Sequence, residues 1–456
     1  MPTHEYDIVV VGGGTAGTFA SATAAQAGLD VVLVERKDEA EAGHIACGDA
    51  IKGKSTFPDV IDLDYLREES FTNEGIERAQ FESPSGEVLD IPFKEQGAVI
   101  DRWRYGQVLL EETERQGTEI HYDTVVQDVL QDDDGRVTGV RAKRDWKVHE
   151  YHGEFVLDAA GALSFLQDRT DFSKSTFDTN VDYSQFCSAY REVVEVPEPV
   201  DYEDAIVFKP TEELGYLWYF PRSGTEINVG LGFQMNKPSM PLVDVLKDDL
   251  QRRPEFEGAT VTDKLGAALP TRRPYDSATH PGYIAIGDAA GHVNPCTGGG
   301  IPGAAKGAHW AAAEAVDAIS EARTDEAAVW EYNRQVQTDF GKRFAAMDIY
   351  NIWGGTHNVR DLVSIISSLP GQQLVDALGD QKSSSMGLGL KLKTIIESFG
   401  HWGELKQLYD VHNIAGQLKG VYDQYPEDPE GFETWRSTRD ELMDELYELT
   451  GADAKY

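Results

Sequence analysis

The sequence of 456 residues predicts a mixed α/β fold with more than one domain. Near the N-terminus, an apolar run from Tyr6 to Val11 leads into a glycine-rich turn, an alanine-rich stretch and a second apolar run. This order is typical of a strand, a helix and a parallel strand. From about residue 165 to 269 the apolar residues alternate along longer runs, which favours an antiparallel sheet. Beyond Asp325 the pattern is mostly helical.

The composition limits the partners of the chain. Asp and Glu number 79 against 41 Lys and Arg, which gives a formal net charge of -38. A phosphate backbone requires a basic surface, so nucleic acid is excluded as a partner. The dispersed acidic excess is typical of a halophilic protein, because a Debye length of about 3 Å in molar salt screens the self-repulsion. The alternative is an ordinary acidic enzyme.

The cysteines and the apolar runs indicate the compartment. Cys47, Cys187 and Cys296 are too few and too scattered for a disulfide framework or a metal cluster, so we expect a reducing interior and no metal. The first strand begins at about Tyr6, which leaves no room for a secretory signal. No window approaches the roughly 20 apolar residues that cross a bilayer. We therefore expect a cytoplasmic protein, at most peripheral at the inner face of the cell membrane.

One stretch bears on membrane contact. Residues Met386–Ile396 form the most apolar segment with basic insertions in this acidic chain. The segment either rests on a lipid surface or forms a core-facing helix with two solvated lysines.

The first chemical motif is G-x-G-x-x-G at Gly12, Gly14 and Gly17. The three glycines allow a tight turn, a close approach of the backbone to a pyrophosphate, and close packing of helix on strand. The N–H groups at the start of the helix then face the phosphates. Glu35, at the end of the second strand, stands where a carboxylate accepts hydrogen bonds from ribose hydroxyls. The order strand, triplet, helix, strand and acid predicts a dinucleotide site.

Two later segments indicate which dinucleotide is bound. Residues 283–291 read YIAIGDAAG, a buried strand that ends at Asp288 and small residues, and residues 294–302 read NPCTGGGIP before a helix. With the N-terminal triplet, they resemble the FAD signature of the glutathione-reductase-type flavoproteins, in the branch of the aromatic hydroxylases and geranylgeranyl reductases. The resemblance implies a Rossmann-like FAD-binding domain, with Asp288 on the ribitol chain, Arg102 near the pyrophosphate, and residues 157–164 as a structural motif.

The triple glycine also has a physical reason of its own. Reduced flavin is anionic near N1, and a glycine-rich loop before a helix lets backbone N–H groups approach that charge. We therefore expect Gly298 to Gly300 beside the isoalloxazine ring. The candidate cofactor-binding residues are Gly12, Gly14, Ala16, Gly17, Glu35, Arg36, Cys47, Gly48, Arg102, Val126, Asp288, Gly298, Gly299, Gly300 and Ile301.

Further segments narrow the resemblance. Residues 44–51 (HIACGDAI), 215–221 (GYLWYFP) and 228–232 (NVGLG) resemble the geranylgeranyl reductase family, most of all its archaeal, and among these haloarchaeal, digeranylgeranylglycerophospholipid reductases. The resemblance implies FAD-dependent saturation of isoprenoid double bonds on membrane ether lipids, free geranylgeranyl groups or quinone side chains. The candidate substrate-binding residues are Tyr216, Trp218, Phe220, Gly230 and Gly232.

The aromatic segment has two interpretations. On a strand, Tyr216, Trp218 and Phe220 point to one face and form a wide apolar wall. Such a wall lines a hydrocarbon channel or belongs to ordinary core.

The chemistry of an isolated alkene suggests what else the site needs. Protonation of a trisubstituted double bond gives a tertiary cation, so reduction requires a positioned acid, a hydride from flavin N5 and the exclusion of water. Cys47 is the first candidate acid, because a buried thiol stays protonated. Flavin-bound water is the competing proton source, and Cys47 is otherwise a small buried hydrophobe.

The sequence is compatible with two kinds of electron donor and with two alternative functions. The sequence has no second G-x-G-x-x-G after a strand, so we expect a transient donor, either a ferredoxin-like protein or NAD(P)H. A flavin-dependent monooxygenase or halogenase is one alternative, although the Trp-x-Trp-x-x-Ile segment expected of a halogenase is absent. An electron-transfer flavoprotein is another, but three dispersed cysteines do not supply a four-cysteine iron–sulfur site.

The motifs divide the chain into three parts. We assign residues 1–75, 100–164 and 271–325 to a discontinuous FAD-binding domain. Residues 76–99 and 165–270 form a substrate-binding antiparallel sheet domain, and residues 326–456 a C-terminal helical region.

Overall fold

The computed structural model describes residues 1–52, 57–83, 86–212, 214–235, 241–362 and 402–456. Its strands are β1 (Thr3–Glu5), β2 (Ile8–Val11), β3 (Val31–Val34), β4 (Ala50–Lys52), β5 (Phe71–Glu82), β6 (Val88–Ile100), β7 (Glu119–His121), β8 (Val125–Gln131), β9 (Val137–Arg144), β10 (Lys147–His152), β11 (Phe155–Asp158), β12 (Phe186–Glu195), β13 (Ala205–Pro210), β14 (Tyr216–Pro221), β15 (Glu226–Gln234), β16 (Thr260–Pro270), β17 (Thr279–His280) and β18 (Tyr283–Ala285). Its α-helices are α1 (Thr15–Gln26), α2 (Leu63–Ser70), α3 (Arg102–Arg115), α4 (Phe165–Arg169), α5 (Leu242–Leu250), α6 (Ile301–Ser320), α7 (Trp330–Val336), α8 (Lys342–Gly354), α9 (Trp402–Tyr422) and α10 (Phe432–Thr450).

A six-stranded sheet carries the N-terminal motif. Its strand order is β17-β18-β11-β2-β3-β7, and every pair except β17–β18 is parallel. β2, β3 and β11 are buried along their whole length, because α1 and α6 pack on them and strands β9 and β10 add buried side chains to the same core. The predicted Rossmann-like α/β arrangement is confirmed.

A smaller sheet lies beside it in the order β1-β10-β9-β8. β8, β9 and β10 form an antiparallel meander, and β1 adds in parallel to β10. The meander contributes Val126 to the wall of the cavity described below.

An eight-stranded sheet forms the second large layer, in the order β16-β12-β15-β14-β13-β5-β6-β4. Its pairs are antiparallel except β13–β5, which is parallel. One face of the central strands packs on α5 in an apolar core. The sheet takes strands from residues 50–52, 71–82 and 88–100 as well as 186–270, so its N-terminal part is wider than the expected segment 76–99.

Helices α7 to α10 form the C-terminal part as far as the structure describes it, residues 330–362 and 402–456. Their core contains a cluster of aromatic side chains, among them Trp330, Tyr425, Phe432 and Trp435. The segment Met386–Ile396, for which we considered lipid contact, lies outside the described residues. Within the ranges described, every helix is too short or too polar to cross a bilayer.

Candidate flavin and substrate site

The N-terminal glycine turn is shaped by contacts that only glycine permits. A Cβ on Gly17 would lie 1.9 Å from the carbonyl oxygen of Gly12, and a Cβ on Gly12 would lie 2.5 Å from the carbonyl oxygen of Ala159. Gly14, the residue before α1, is different, because its Cβ would meet only the Ile45 side chain at 3.6 Å. The space beside Gly14 is therefore open to a ligand that approaches the first N–H groups of α1.

Glu35 closes the adenosine end of the same groove. Its carboxylate accepts hydrogen bonds from the backbone N–H groups of Gly13 (2.7 Å) and Lys37 (2.9 Å). These bonds fix the carboxylate beside the glycine turn, where a ribose hydroxyl is expected. Arg36 is exposed and Val126 is buried, and both line the cavity at this end.

Arg102 enters the groove from the start of α3. The side chain is 4% exposed, its Nη2 lies 3.4 Å from Oγ1 of Thr15, and its guanidinium group lies 5.0 Å from the ring centroid of Tyr105. Its Nη1 has no hydrogen-bond partner among the residues that the structure describes. A buried guanidinium with an unused donor beside a phosphate-binding turn fits a pyrophosphate. This observation supports FAD as the group that the groove holds.

Asp288 lines the same cavity as Arg102. It follows Gly287, whose left-handed backbone (φ +63°) packs so closely that a Cβ would lie 2.7 Å from the Cβ of Ala16. Burial raises the pKa of Asp288 to about 6, and the charge of Arg102 opposes this rise. Its Oδ1 lies 3.6 Å from the Cβ position of Gly300, so the carboxyl group faces the start of α6.

The loop before α6 is held in shape by Asn294. Its side-chain oxygen accepts hydrogen bonds from the backbone N–H groups of Cys296 (3.0 Å) and Thr297 (3.2 Å). The backbone N–H of Asn294 donates to the carbonyl of Gly299 (3.0 Å). The left-handed backbone of Gly298 (φ +70°) completes the turn. We call residues 294–300, which we expect beside the isoalloxazine ring, the flavin loop. Its residues Gly298, Gly299 and Gly300 line the cavity, as does Ile301 at the start of α6.

Sequence reasoning missed His292, which supports this loop from behind. Its Nδ1 accepts a hydrogen bond from the N–H of Gly287 at 3.3 Å, and its Nε2 lies 3.3 Å from the Tyr332 hydroxyl. A Cβ on Gly303 or on Gly307 would lie 2.8 or 2.5 Å from atoms of His292. Burial lowers the pKa of His292 to about 3, so the imidazole is neutral. The two glycines four residues apart on α6 were the available signal for a buried group at that face.

One cavity of about 2750 Å³ joins the FAD groove to the inner face of the eight-stranded sheet. Pockets for a single small ligand occupy roughly 300–1,000 Å³, so this volume accommodates FAD and a long second ligand together. The apolar lining of the sheet includes Ile76, Ala79, Ile91, Phe93, Ile206 and Phe208. The C-terminal part, for which the sequence offered no role, also lines the cavity through Tyr350, Trp353, Leu408 and residues 451–455.

The aromatic residues predicted on one strand face do lie on one face of β14. The cavity-lining side chains are Tyr216, Trp218 and Phe220, while Leu217 and Tyr219 pack into the core behind the sheet. Phe208 of β13, which we had not singled out, packs edge-on against Phe220 with ring centroids 5.2 Å apart. We call Phe208, Tyr216, Trp218 and Phe220 the aromatic wall.

The aromatic wall touches the flavin loop directly. The hydroxyl of Tyr216 donates a hydrogen bond of 2.9 Å to the carbonyl of Thr297, the residue before Gly298. The predicted substrate residue Gly232 lines the cavity, but Gly230 does not. A Cβ on Gly230 would lie 2.4 Å from the indole of Trp218, so this glycine makes room for the ring instead. Gly230 is therefore corrected from a lining residue to a packing residue.

The turn at Cys47 and Gly48 lies against the aromatic wall. A Cβ on Gly48 would lie 3.1 Å from the Phe220 ring, which places the turn against the wall. Cys47 lines the cavity, and its sulfur accepts a hydrogen bond from the N–H of Asp49 at 3.2 Å. Burial, reinforced by the charge of Asp49, raises the pKa of the Cys47 thiol to about 11. The thiol therefore carries its proton at neutral pH.

Comparison with known families agrees with this geometry. A family model described as FAD dependent oxidoreductase matches residues 7–166, and a model described as tryptophan halogenase matches residues 95–347, more than half of the chain. The chain is an FAD-dependent oxidoreductase, and it belongs to the flavoprotein family that the tryptophan halogenase model describes.

Similar proteins narrow the relationship. A digeranylgeranylglycerophospholipid reductase of Sulfolobus acidocaldarius is 26% identical over 98% of this chain and 99% of that protein. Digeranylgeranylglycerophospholipid reductase 1 of Methanopyrus kandleri is 29% identical over 75% of this chain and 88% of its own length. The predicted relationship to the geranylgeranyl reductases is thereby confirmed.

Solved structures show the same fold. A geranylgeranyl bacteriochlorophyll reductase-like protein from Thermoplasma acidophilum aligns with a TM-score of 0.72 and 21% identity, covering 90% of this chain and all of that one. The flavin-dependent brominase Bmp2 aligns with a TM-score of 0.63 and 16% identity, covering 97% of this chain and all of that one. At these identities the likeness concerns the fold alone.

Proposed function

We propose that this chain saturates the isoprenoid double bonds of geranylgeranyl chains, with archaeal membrane ether lipids of the digeranylgeranylglycerophospholipid class as its substrate. The observation that carries the proposal is the hydrogen bond from Tyr216 to Thr297, which joins the aromatic wall to the flavin loop in one cavity. The names of the full-length relatives support the same substrate class.

Each part of the site has a task in this reaction. Reduced FAD, when bound, supplies a hydride from N5. The double bond gains that hydride on one carbon and a proton on the other, and the Cys47 thiol is the proton donor that we propose. The S–H bond breaks as the new C–H bond forms, and the thiolate regains a proton from water. The faces of Trp218 and Phe220 stabilise positive charge on the substrate carbon, and the apolar lining excludes water.

Two features of the enzyme's surroundings complete the proposal. Electrons reach the flavin from a transient donor, either a ferredoxin-like protein or NAD(P)H, because the sequence has no second G-x-G-x-x-G directly after a strand. The protein works in the cytoplasm and takes its substrate at the inner face of the membrane, because the reactive chains are anchored there.

An anaerobic assay tests this function. Dithionite-reduced enzyme is mixed with a geranylgeranyl ether lipid, flavin reoxidation is followed by absorbance, and saturated product is identified by mass. Reoxidation is expected to require the alkene and to stop when the alkene is consumed. In the Cys47→Ala variant we expect a rate of reoxidation lower by about 10²- to 10⁴-fold with little change in substrate affinity, as for loss of a general acid.

The competing function gives a different result in the same assay. If reduced enzyme ignores prenyl lipids but reacts productively with oxygen and an aromatic substrate, the chain is a monooxygenase or halogenase. The tryptophan halogenase model covers residues 95–347, which is the reason for including this arm.

A further inference from the structure

Asp49 is a buried carboxylate that the reaction described above does not use. It is 0% exposed and has a left-handed backbone (φ +69°). Its Oδ2 accepts hydrogen bonds from Nε (2.8 Å) and Nη2 (2.7 Å) of Arg222 and from Nδ2 of Asn228 (2.6 Å). Its Oδ1 has no partner within the described part of the chain. A carboxylate buried at this cost needs a reason beyond packing.

The contacts of Asn228 connect this carboxylate to the site. Nδ2 of Asn228 also donates to the carbonyl of Cys47 at 2.9 Å, and its Oδ1 accepts from the indole Nε1 of Trp218 at 2.8 Å. One amide therefore holds the Cys47 turn, the Asp49 carboxylate and the Trp218 ring in a fixed relation. The Asn228 side chain therefore fixes both the turn of Cys47, the proposed proton donor, and Trp218 of the aromatic wall.

The charges around the Cys47 sulfur show what Asp49 contributes. The titratable and charged groups that face Cys47 are Asp49 on its own turn, Arg102 and Tyr105 on α3, Arg191 on β12 and Tyr216 on β14. Arg102 and Arg191 favour the thiolate, whereas Asp49 disfavours it. Asp49 is thus the acidic member of this set that counteracts the two arginines.

We propose that Asp49 is a positioning residue, which holds the Cys47 turn against Trp218 through Asn228 and places a negative charge beside the Cys47 thiol that opposes its ionisation. The catalytic part of this inference rests on the proposed function, because it takes Cys47 as the proton donor. The effect on the thiol does not depend on the substrate and is measurable without it.

Alkylation by iodoacetamide measures the thiolate fraction of each cysteine in the FAD-loaded protein. Below the pKa of a thiol, lowering that pKa by one unit raises the thiolate fraction tenfold, and it raises the alkylation rate by roughly threefold because a less basic thiolate is a weaker nucleophile. In Asp49→Asn we expect the rate at Cys47, followed at pH 8.5 by peptide mass spectrometry, to rise by roughly threefold or more. The rates at Cys187 and Cys296 are expected to stay at their wild-type values, because neither thiol faces Asp49.

Two further variants separate this effect from damage to the fold. Asp49→Asn/Arg222→Met removes both members of the buried pair, so that neither is left as an unpaired buried charge, while the other carboxylates near Arg222, Glu226 and Asp101, are exposed to solvent. This double variant is also expected to raise the Cys47 rate. Asn73→Ala removes hydrogen bonds to the carbonyls of Glu203, before β13, and Pro221, at the end of β14, and should leave the Cys47 rate unchanged. An unchanged Cys47 rate in both Asp49 variants, or an equal rise at all three cysteines, would overturn the proposal. If the enzyme fails to reduce the lipid but the Cys47 rate rises as expected, the proposed function is contradicted and the proposal on Asp49 is not.

Discussion

Arg439 of α10 donates a hydrogen bond of 2.7 Å to the carboxylate of Asp276, although the two residues lie 163 positions apart in the chain. Arg273 donates to the same carboxylate at 3.2 Å, and all three side chains are buried. Burial raises the pKa of Asp276, but the two guanidinium groups outweigh it and hold that pKa well below its ordinary value. The C-terminal helices are therefore joined to the FAD-binding part through one carboxylate and two cations.

Neutralising this carboxylate should weaken the whole fold. Asp276→Asn leaves the buried Arg273 without its counter-charge and Arg439 with only the exposed Asp440, so we expect a loss of about 3–5 kcal/mol in the free energy of unfolding. The measurement is urea unfolding followed by far-ultraviolet circular dichroism. Asp440→Asn is the matched control, because Asp440 also accepts from Arg439 but is 53% exposed. The control should cost less than about 1 kcal/mol; equal losses in the two variants would contradict the argument.

Two glycine substitutions test the fit of the groove to FAD. In Gly14→Ala the new methyl group meets only a side chain at 3.6 Å, so we expect the apoprotein to keep its thermal stability while its affinity for FAD falls at least tenfold. In Gly17→Ala the methyl group would collide with a backbone carbonyl, so stability and binding should fall together. Titration of the apoprotein with FAD and thermal unfolding without it measure the two effects. Normal FAD affinity in Gly14→Ala would show that the pyrophosphate lies elsewhere.

The glycine turn could be predicted from sequence because its cause is local. Strand, triplet, helix, strand and Glu35 follow one another within about 30 residues, and each has its own steric or electrostatic reason. The strand β14 was likewise readable, since alternation places Tyr216, Trp218 and Phe220 on one face. Both predictions depended only on residues that are close to one another in the sequence.

Other parts of the site depend on partners distant in the chain. Asp49 and Asn228 meet across 179 positions, and no pattern in either segment indicates the other. Phe208 belongs to the aromatic wall because β13 pairs with β14. The register of that pairing cannot be read from the sequence of either strand. β4, with three residues, is too short to show a period of two, so its place at the edge of the eight-stranded sheet is not visible in the sequence.

The neutral imidazole behind the flavin loop makes stability sensitive to acid. The pKa of His292 is about 3 in the folded protein and near its ordinary value of about 6.5 in the unfolded chain. Between these values the unfolded state binds the extra proton, so the free energy of unfolding decreases as the pH falls. This contribution is about 2–3 kcal/mol on going from neutral pH to pH 4.5. In His292→Gln the dependence of unfolding free energy on pH should be shallower over this window, and an identical dependence in both proteins would show that His292 is protonated in the fold.

The last prediction concerns the aromatic wall, on which the choice of substrate depends. Trp218→Ala removes a large apolar surface from the cavity, and burial of such a side chain is worth about 1.5–3 kcal/mol, which corresponds to roughly a 10- to 100-fold weaker binding of the prenyl chain. FAD content should stay nearly normal, because Trp218 lies on the sheet and outside the glycine turns. Tyr219→Phe is the matched control: Tyr219 is the next residue on β14, but its side chain lies in the core behind the sheet, so this exchange should leave the KM for the lipid unchanged. The measurement is the dependence of anaerobic flavin reoxidation on lipid concentration, with flavin content determined by absorbance. If Trp218→Ala and Tyr219→Phe shift the KM equally, or if Trp218→Ala loses its flavin, the wall is core and the prenyl chain binds elsewhere.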